Sequence, residues 1–420
     1  MVAPPTHGQR AWRLPLALAP LRHRDYALLW TASLVSNVGT WMEIVAIGSL
    51  LARHTGRASD LGVLAAAGFL PTALFSPIGG VIADRVRRKR FLLQTLAVDT
   101  VLACVLALLL ATGAWTPAIL WAIVFIEGCS TSLSMPNRQA LMPDLVPPEE
   151  LLAAVGLSST AWNGGRVLGP LLAGLLIAAT STTWAVIANA ASFVVMLIAA
   201  TFIRLPERAR ATGPIGMFTR IAEGAAAVCS NPRCRFALLS VVGLSLSAAP
   251  FIGLLPIVAH NTFKGGAGTT SLFVTAQGLG AIIGALSVPR LASMFGRERV
   301  ILGALLTLCP SLLLYGLGSS TAVAALALVV IGGAYFAVLV STQGMLQAEA
   351  PAALKARALS MFSVALGLGY VVSVTVNGYA ADAWSLRGVH VAQGVLSAIA
   401  ASALWAYSHQ KGHREAESTR

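Results

Sequence analysis

Apolar residues run through this chain in long uninterrupted stretches rather than in the half-turn alternation of a globular surface. Stretches long enough to cross about 30 Å of hydrocarbon at 1.5 Å per residue occur near 26–51, 61–83, 91–113, 117–135, 151–179 and 184–203. A second set follows at 236–259, 270–289, 300–317, 322–346, 358–381 and 386–407. The pattern predicts an all-α polytopic membrane protein of about twelve transmembrane helices. The first stretch is longer than a secretory leader, follows a tail of about two dozen residues and lacks a small-residue cleavage site, so it reads as a retained helix.

Two short patterns recur about half a chain apart. GGVIADRVRRKRF (79–91) places glycine and then a basic cluster at a turn, and GALSVPRLASMFGRER (284–299) repeats it in degraded form. QALMP (139–143) returns as QAEAP (347–351) at corresponding gaps. Both repeats predict two six-helix halves, 25–203 and 236–408, related by a parallel pseudo-repeat. The remaining parts are a tail at 1–24, a linker at 204–235 whose stretch Met217 to Cys229 reads as a helix lying on the membrane face, and a tail at 409–420.

Composition supports the bilayer. Hydrophobic residues make up 56% of the chain and charged residues 11%, with a mean hydropathy of +0.77; that leaves too few charges to coat a soluble globule of 420 residues. A net charge of +13 would suggest nucleic acid in a soluble protein, but here the cations fall in short gaps between apolar runs, so no nucleic-acid partner is expected. Arg53, Arg57, Lys264 and Arg387 lie in odd-numbered gaps and Arg166 inside a segment; every other lysine and arginine lies in the tails or in even-numbered gaps. The excess of cations on the cytoplasmic side of membrane proteins then puts both termini in the cytoplasm of a cell whose inner or plasma membrane holds the chain. The five cysteines show no metal spacing and are expected to be free thiols, without a metal site.

Charge inside the segments marks the candidate chemistry, because ionisable groups at depth face a cavity or a partner. Glu43, Asp99 and Glu127 are the candidates for proton coupling. Glu127 comes first, since it lies about 15 Å into its segment by helical rise. Ser33, Ser36, Asn37, Thr40 and Glu43 form one polar stripe at helical spacing, and Glu127, Ser130, Thr131, Ser134 and Arg138 form another. Candidate substrate-cavity residues are Asn37, Thr40, Trp41, Ser130, Ser134, Arg166, Tyr335 and Tyr370, the aromatics for stacking on a ring-bearing ligand. Arg166 is read either as a substrate contact or as a structural partner of Glu43 or Glu127. No GxxxxGK[ST] phosphate loop occurs, so the expected energy source is an ion gradient, with no cofactor and no ATP site.

These residues resemble the major facilitator superfamily of secondary transporters over about Arg24 to Tyr407. Gly80, Asp84, Arg85, Lys89 and Arg90 match the family's loop signature, with Arg87 where the pattern has glycine. By resemblance, the loop gates the cytoplasmic side, its carboxylate facing the start of helix 11. Gly156, Gly165, Gly169, Pro170 and Gly174 match the family's antiporter signature, with Ala173 as the one departure. The finer resemblance is to enterobactin (siderophore) exporters and macrolide efflux proteins, carried by VSNVGTWM (35–42), PNRQALMPDLVP (136–147), NGGRVLGP (163–170) and NAASF (189–193).

The resemblance implies a monomer, not an enzyme, that exports an amphipathic small organic molecule by proton antiport. The two halves would rock about a central site, and helices 5 and 8 would slide on each other through Gly165, Gly169, Gly280 and Gly284. The alternatives are uptake or lipid flipping on the same fold and, less favoured, a membrane sensor or scaffold.

Overall fold

A computed structural model of the chain describes residues 16–85, 87–204, 230–351 and 354–418. The expected N-terminal tail and the linker stretch Met217 to Cys229 lie outside the described residues, apart from a short 3-10 helix at Leu16–Arg22.

Six long helices build the first half: α1 (Arg24–Thr55), α2 (Ala58–Arg85), α3 (Arg88–Thr112), α4 (Pro117–Leu145), α5 (Leu151–Ala179) and α6 (Thr182–Phe202). The second half holds α7 (Pro232–Ser247) and α8 (Pro250–Ile257), which together make one crossing, then α9 (Ala267–Phe295), α10 (Arg297–Leu317), α11 (Thr321–Glu349), α12 (Lys355–Ala383) and α13 (Leu386–Ser418). Eleven described spans are long and apolar enough to cross a membrane. The twelfth is α5, which matches its neighbours in length but carries Asn163 and Arg166. With an even number of crossings, both ends of the described chain lie on one side, called here the terminal side.

Local signals set the helix ends. Gly56 and Gly113 take the left-handed conformation, at φ 65 and φ 72, and their N–H groups close the last turns of α1 and α3 on Ala52 and Leu109. A residue with a Cβ is strained there. Thr116 caps α4 ahead of Pro117, and Asn231 accepts the N–H groups of Arg233 and Cys234 ahead of Pro232. Both are the polar-cap and first-turn-proline arrangement that satisfies orphan amides.

The helices overrun the apolar stretches on the terminal side. QALMP, expected at a gap, lies inside α4, and QAE forms the last turn of α11; the expected tail from 409 continues α13 to Ser418. Polar residues beyond the hydrocarbon carry on the helix because nothing there breaks it. The seventh crossing does break. Pro250 has no N–H, so the run stops at Ser247, resumes as α8 and ends in a π turn at Val258–Thr262.

Packing repeats between the halves. Helix α1 packs on α5 and α6, α2 on α4, and α3 on α6; likewise α7 packs on α12 and α13, α9 on α11, and α10 on α13. The halves meet where α2 lies against α12 and α5 against α9. One apolar core runs through both halves, including Met42, Leu51, Leu61, Phe251 and Val374. A separate cluster of Tyr26, Leu29, Leu92, Leu96, Leu141, Leu157 and Met196 fills the terminal end of the first half alone. Toward the terminal side the halves therefore part. Outward-facing apolar side chains such as Leu286 and Leu326, 75% and 65% exposed, are what a lipid-facing surface requires.

Candidate functional site

The gap between the halves is a cavity of about 740 Å³. Toward the terminal side it is lined by Tyr26 and Leu29 of α1, Gln139 and Met142 of α4, Val155 of α5 and Gln347 of α11, all near the terminal ends of their helices. It reaches in to Glu43, nineteen residues along α1 or roughly 28 Å by helical rise.

Periodicity places the polar wall. Ser33, Ser36, Asn37, Thr40 and Glu43 all line the cavity from α1, and Glu127, Thr131, Ser134 and Arg138 line it from α4. Asp99 joins from α3. Three carboxyl groups from three helices thus share one space. The Glu43 and Glu127 carboxyls lie close to each other, with Asp99 near Ser130 and Arg138. A proton on either one would let the two carboxyl groups hydrogen-bond. Glu43 Oε2 also accepts from Asn189 Nδ2 at 2.6 Å, while Glu127 Oε1 and Asp99 Oδ1 are buried with no partner among the described residues. Buried orphan oxygens in the wall of an open cavity are groups with unused capacity for a proton or a ligand donor.

Other candidates stand elsewhere. Ser130 is buried behind the wall, where its hydroxyl approaches Thr95 O at 3.4 Å. Arg166 pairs with neither Glu43 nor Glu127. Its Nη2 donates to Gln277 Oε1 of α9 at 2.6 Å, and the guanidinium lies 5.2 Å from the Trp41 ring centre and 4.7 Å from that of Phe336. The reason is the rotation of α5. Gly165 and Gly169 press on α1, where an added Cβ would stand 2.7 Å from Asn37 Cβ and 2.5 Å from Trp41 Cβ; one residue and about 100° further round than Gly165, Arg166 points into the seam with α9. Trp41, Tyr335 and Tyr370 lie in that region of contact between the halves, against Arg166, Phe251 and Phe69 respectively. None of these four lines the cavity.

The same geometry corrects the expected sliding surface of the fifth and eighth crossings. Gly165 and Gly169 serve the contact of α5 with α1, and Gly280 and Gly284 serve the contact of α9 with Val329 and Gly333 of α11. Only Gly174 meets α9, at Ser271. Gly156 is exposed with nothing near it, and Pro170 is buried within α5.

Of the expected gate, Gly80, Asp84 and Arg85 end α2, and their side chains lie outside the described residues. Lys89 Nζ donates to the carbonyls of Thr201 and Ile203 at 2.8 and 2.7 Å, closing the end of α6, while Arg90 is exposed. Cys104, Cys129, Cys234 and Cys309 are free thiols.

Sequence reasoning did not single out Asn189, Trp30, Phe193, Gln343 or Gln347 of the lining. Asn189 and Phe193 do fall in the NAASF stretch, where an asparagine among apolar residues was the available signal.

A family model described as transmembrane secretion effector matches residues 16–419. Macrolide efflux protein A of Streptococcus pyogenes is 26% identical over 283 residues, covering 65% of this chain and 68% of that protein. The multidrug efflux pump Tap of Mycolicibacterium fortuitum is 25% identical over 383 residues, covering 87% and 91%, and the staphyloferrin A transporter of Staphylococcus aureus is 22% identical over 277 residues, covering 64% and 67%. Among solved structures, a bacterial homologue of the human lysosomal transporter Spinster, inward-facing and unoccupied, superposes with a TM-score of 0.74 at 14% identity over 96% of this chain and 98% of its own. The nucleoside transporter NupG gives a TM-score of 0.71 at 14% identity over 91% and 99%. The chain is an integral membrane transporter for a small-molecule substrate, not an enzyme, and it belongs to the transmembrane secretion effector family, in the efflux branch of the major facilitator superfamily.

Proposed function

We propose that the protein exports an amphipathic small organic molecule from the cytoplasm by exchanging it for protons, as a monomer working by alternating access. The carrying observation is the close pair of carboxyl groups, Glu43 and Glu127, at the deep end of a cavity open on the terminal side. When such a pair gives up a proton two carboxylates remain, so a substrate that takes the proton's place brings a positive charge or several hydrogen-bond donors to them. The basic gaps support a cytoplasmic terminal side, which makes the described state open to the cytoplasm and ready to load an export substrate. A proton entering across 100 mV supplies about 2.3 kcal/mol, and no nucleotide motif offers another source. The macrolide, multidrug and staphyloferrin names of the relatives support a drug-like or siderophore-like substrate.

Everted membrane vesicles carrying an established pH gradient test this reading. Macrolides, siderophores and lipophilic drugs are added in turn, with wild type beside Glu127→Gln. A compound that collapses the gradient in wild type and not in the variant is the expected result. Equal collapse in both removes Glu127 from coupling, and transport of a labelled compound with no proton movement overturns antiport.

A further inference from the structure

A second cavity, of about 840 Å³, opens at the terminal ends of the second half and shares no lining residue with the first. The last turns of α9, the first turn of α10 and the last turns of α11 enclose it, with Arg233 of α7 at its edge. The wall at the start of α10 carries Arg297, Glu298 and Arg299, a net positive charge. Arg297 and Arg299 are exposed and make no hydrogen bond or ion pair among the described residues, whereas Arg233 is held by Glu349 at 2.8 Å. Arg297 lies over Gly344, where a Cβ would stand 3.5 Å from its Nε, so the small residue lets the guanidinium rest on α11. No side chain caps the start of α10, which leaves its first amides open to an acceptor. The other wall is apolar, with Val288, Pro289, Ala292 and Val340, and beside it Met294 and Phe295 are 62% and 51% exposed.

A site at the membrane boundary with two uncommitted arginines on one side and an apolar wall leading toward the lipid on the other matches a molecule with an anionic head and an apolar tail. We infer that this cavity binds the head group of an anionic phospholipid, with Arg297 and Arg299 on the phosphate and an acyl chain along Val288, Val340 and Phe295. The chain's own linker is a poorer occupant on charge. Residues 205–229 carry Arg208, Arg210 and Arg220 against Glu207 and Glu223, the same net sign as the wall. Arginine also suits the role better than lysine, because its planar fork grips phosphate with two parallel hydrogen bonds.

The test is lipid titration of the full-length, delipidated protein by native mass spectrometry, with phosphatidylglycerol against phosphatidylcholine. Wild type is expected to take up one phosphatidylglycerol in clear preference, and the Arg297→Gln/Arg299→Gln protein to bind it about 25-fold more weakly, at roughly fivefold for each arginine. Gly344→Leu, which moves Arg297 without changing the net charge, is expected to weaken the same step. Equal binding of the two lipids by wild type, or undiminished phosphatidylglycerol binding by the double variant, overturns the proposal. Displacement of the lipid by inorganic phosphate alone would mark a soluble-anion site and overturn the lipid assignment. Should the double variant not fold, a photoreactive phosphatidylglycerol on wild type decides: labelling of 288–297 and 340–349 supports the site, and labelling confined elsewhere overturns it.

Discussion

Asp382, in the last turn of α12, accepts the backbone N–H of Ala58 at 2.7 Å through one carboxylate oxygen and that of Ser59 at 3.0 Å through the other. A carboxylate from the second half thereby caps the first turn of α2 in the first half, with Arg57 Nε 3.8 Å away. Asn261 adds a bond from its side chain to Gly56 O at 2.9 Å. Asp382 sits at the C-terminal end of its own helix, where the macrodipole repels an anion, and gains the opposite field from α2 only while the halves touch. The contact lies on the side away from the cavity mouth. It therefore holds the halves together at the end that the proposed export cycle opens for release.

Asp382→Asn keeps the shape and removes the charge, so it should shift the population toward the state open on the far side. Charge-assisted bonds of this kind contribute about 1.5–3 kcal/mol, and a loss of even one or two changes a two-state ratio roughly 5–30-fold. Spin labels on the far ends of α2 and α12 should show a longer distance in the variant. An unchanged distance distribution means that apolar packing of Gly62 on Val374 and of Gly378 on Ala58 closes that side unaided.

The glycines of α5 divide by what they touch. At Gly169 an added methyl would sit 2.7 Å from Val38 O as well as against Trp41, and backbone cannot yield as a side-chain tip does. Gly169→Ala should cost about 1–3 kcal/mol by overpacking, read as a lower Tm in detergent. Gly156→Ala meets nothing and should hold or raise the Tm, since alanine is the better helix former by about 1 kcal/mol. Equal effects at the two positions would mean that α1 and α5 pack less closely than the approach of Gly169 to Val38 implies.

That contrast shows what the sequence carried. The long apolar runs, the pseudo-repeat and the two polar stripes are periodic features, and periodicity survives translation into structure because it is local. Which neighbour a residue meets is not local. Gly165 and Arg166 are adjacent in sequence, yet one presses on Asn37 and the other bonds Gln277 in the other half; the spacing of a motif does not say which helix each side faces. Glu43 and Glu127 were legible as buried acids by depth, while their shared contact and the Asn189 bond depend on how α1, α4 and α6 converge.

Arg166 yields a prediction of its own. It is 6% exposed, held between the Trp41 and Phe336 rings, and bonded to Gln277 with no carboxylate among its partners in the described residues. Lysine keeps the charge but loses the planar fork that stacks and donates at once. Arg166→Lys should lower the Tm by weakening the seam between α5 and α9, with the apparent affinity for substrate within about twofold of wild type because Arg166 is off the cavity wall. A large affinity loss at an unchanged Tm would put Arg166 in contact with the substrate in another state of the cycle.

The break in the seventh crossing is braced from outside. Pro250 leaves the Leu246 carbonyl, four residues earlier, without its helical donor, and Ser373 Oγ of α12 supplies one at 2.8 Å. Behind Ser373 a chain of side chains continues: Asn377 donates to Ser373 O at 2.7 Å, Gln393 donates to Asn377 Oδ1 at 3.2 Å, and His390 Nδ1 lies 3.2 Å from Gln393 Oε1. Asn377 also reaches Ser373 Oγ at 3.4 Å, so the hydroxyl that meets Leu246 is steered by residues on two helices. Ser373→Ala removes the donor and leaves the Leu246 carbonyl unpaired at the part-buried break, at a cost of about 0.5–1.5 kcal/mol. Amide exchange across 244–254 should rise in the variant while exchange in α10 and α13 stays at its wild-type rate. Wild-type exchange throughout would show that the break is held by the packing of Phe251 on Tyr335, with the polar chain serving only α12 and α13.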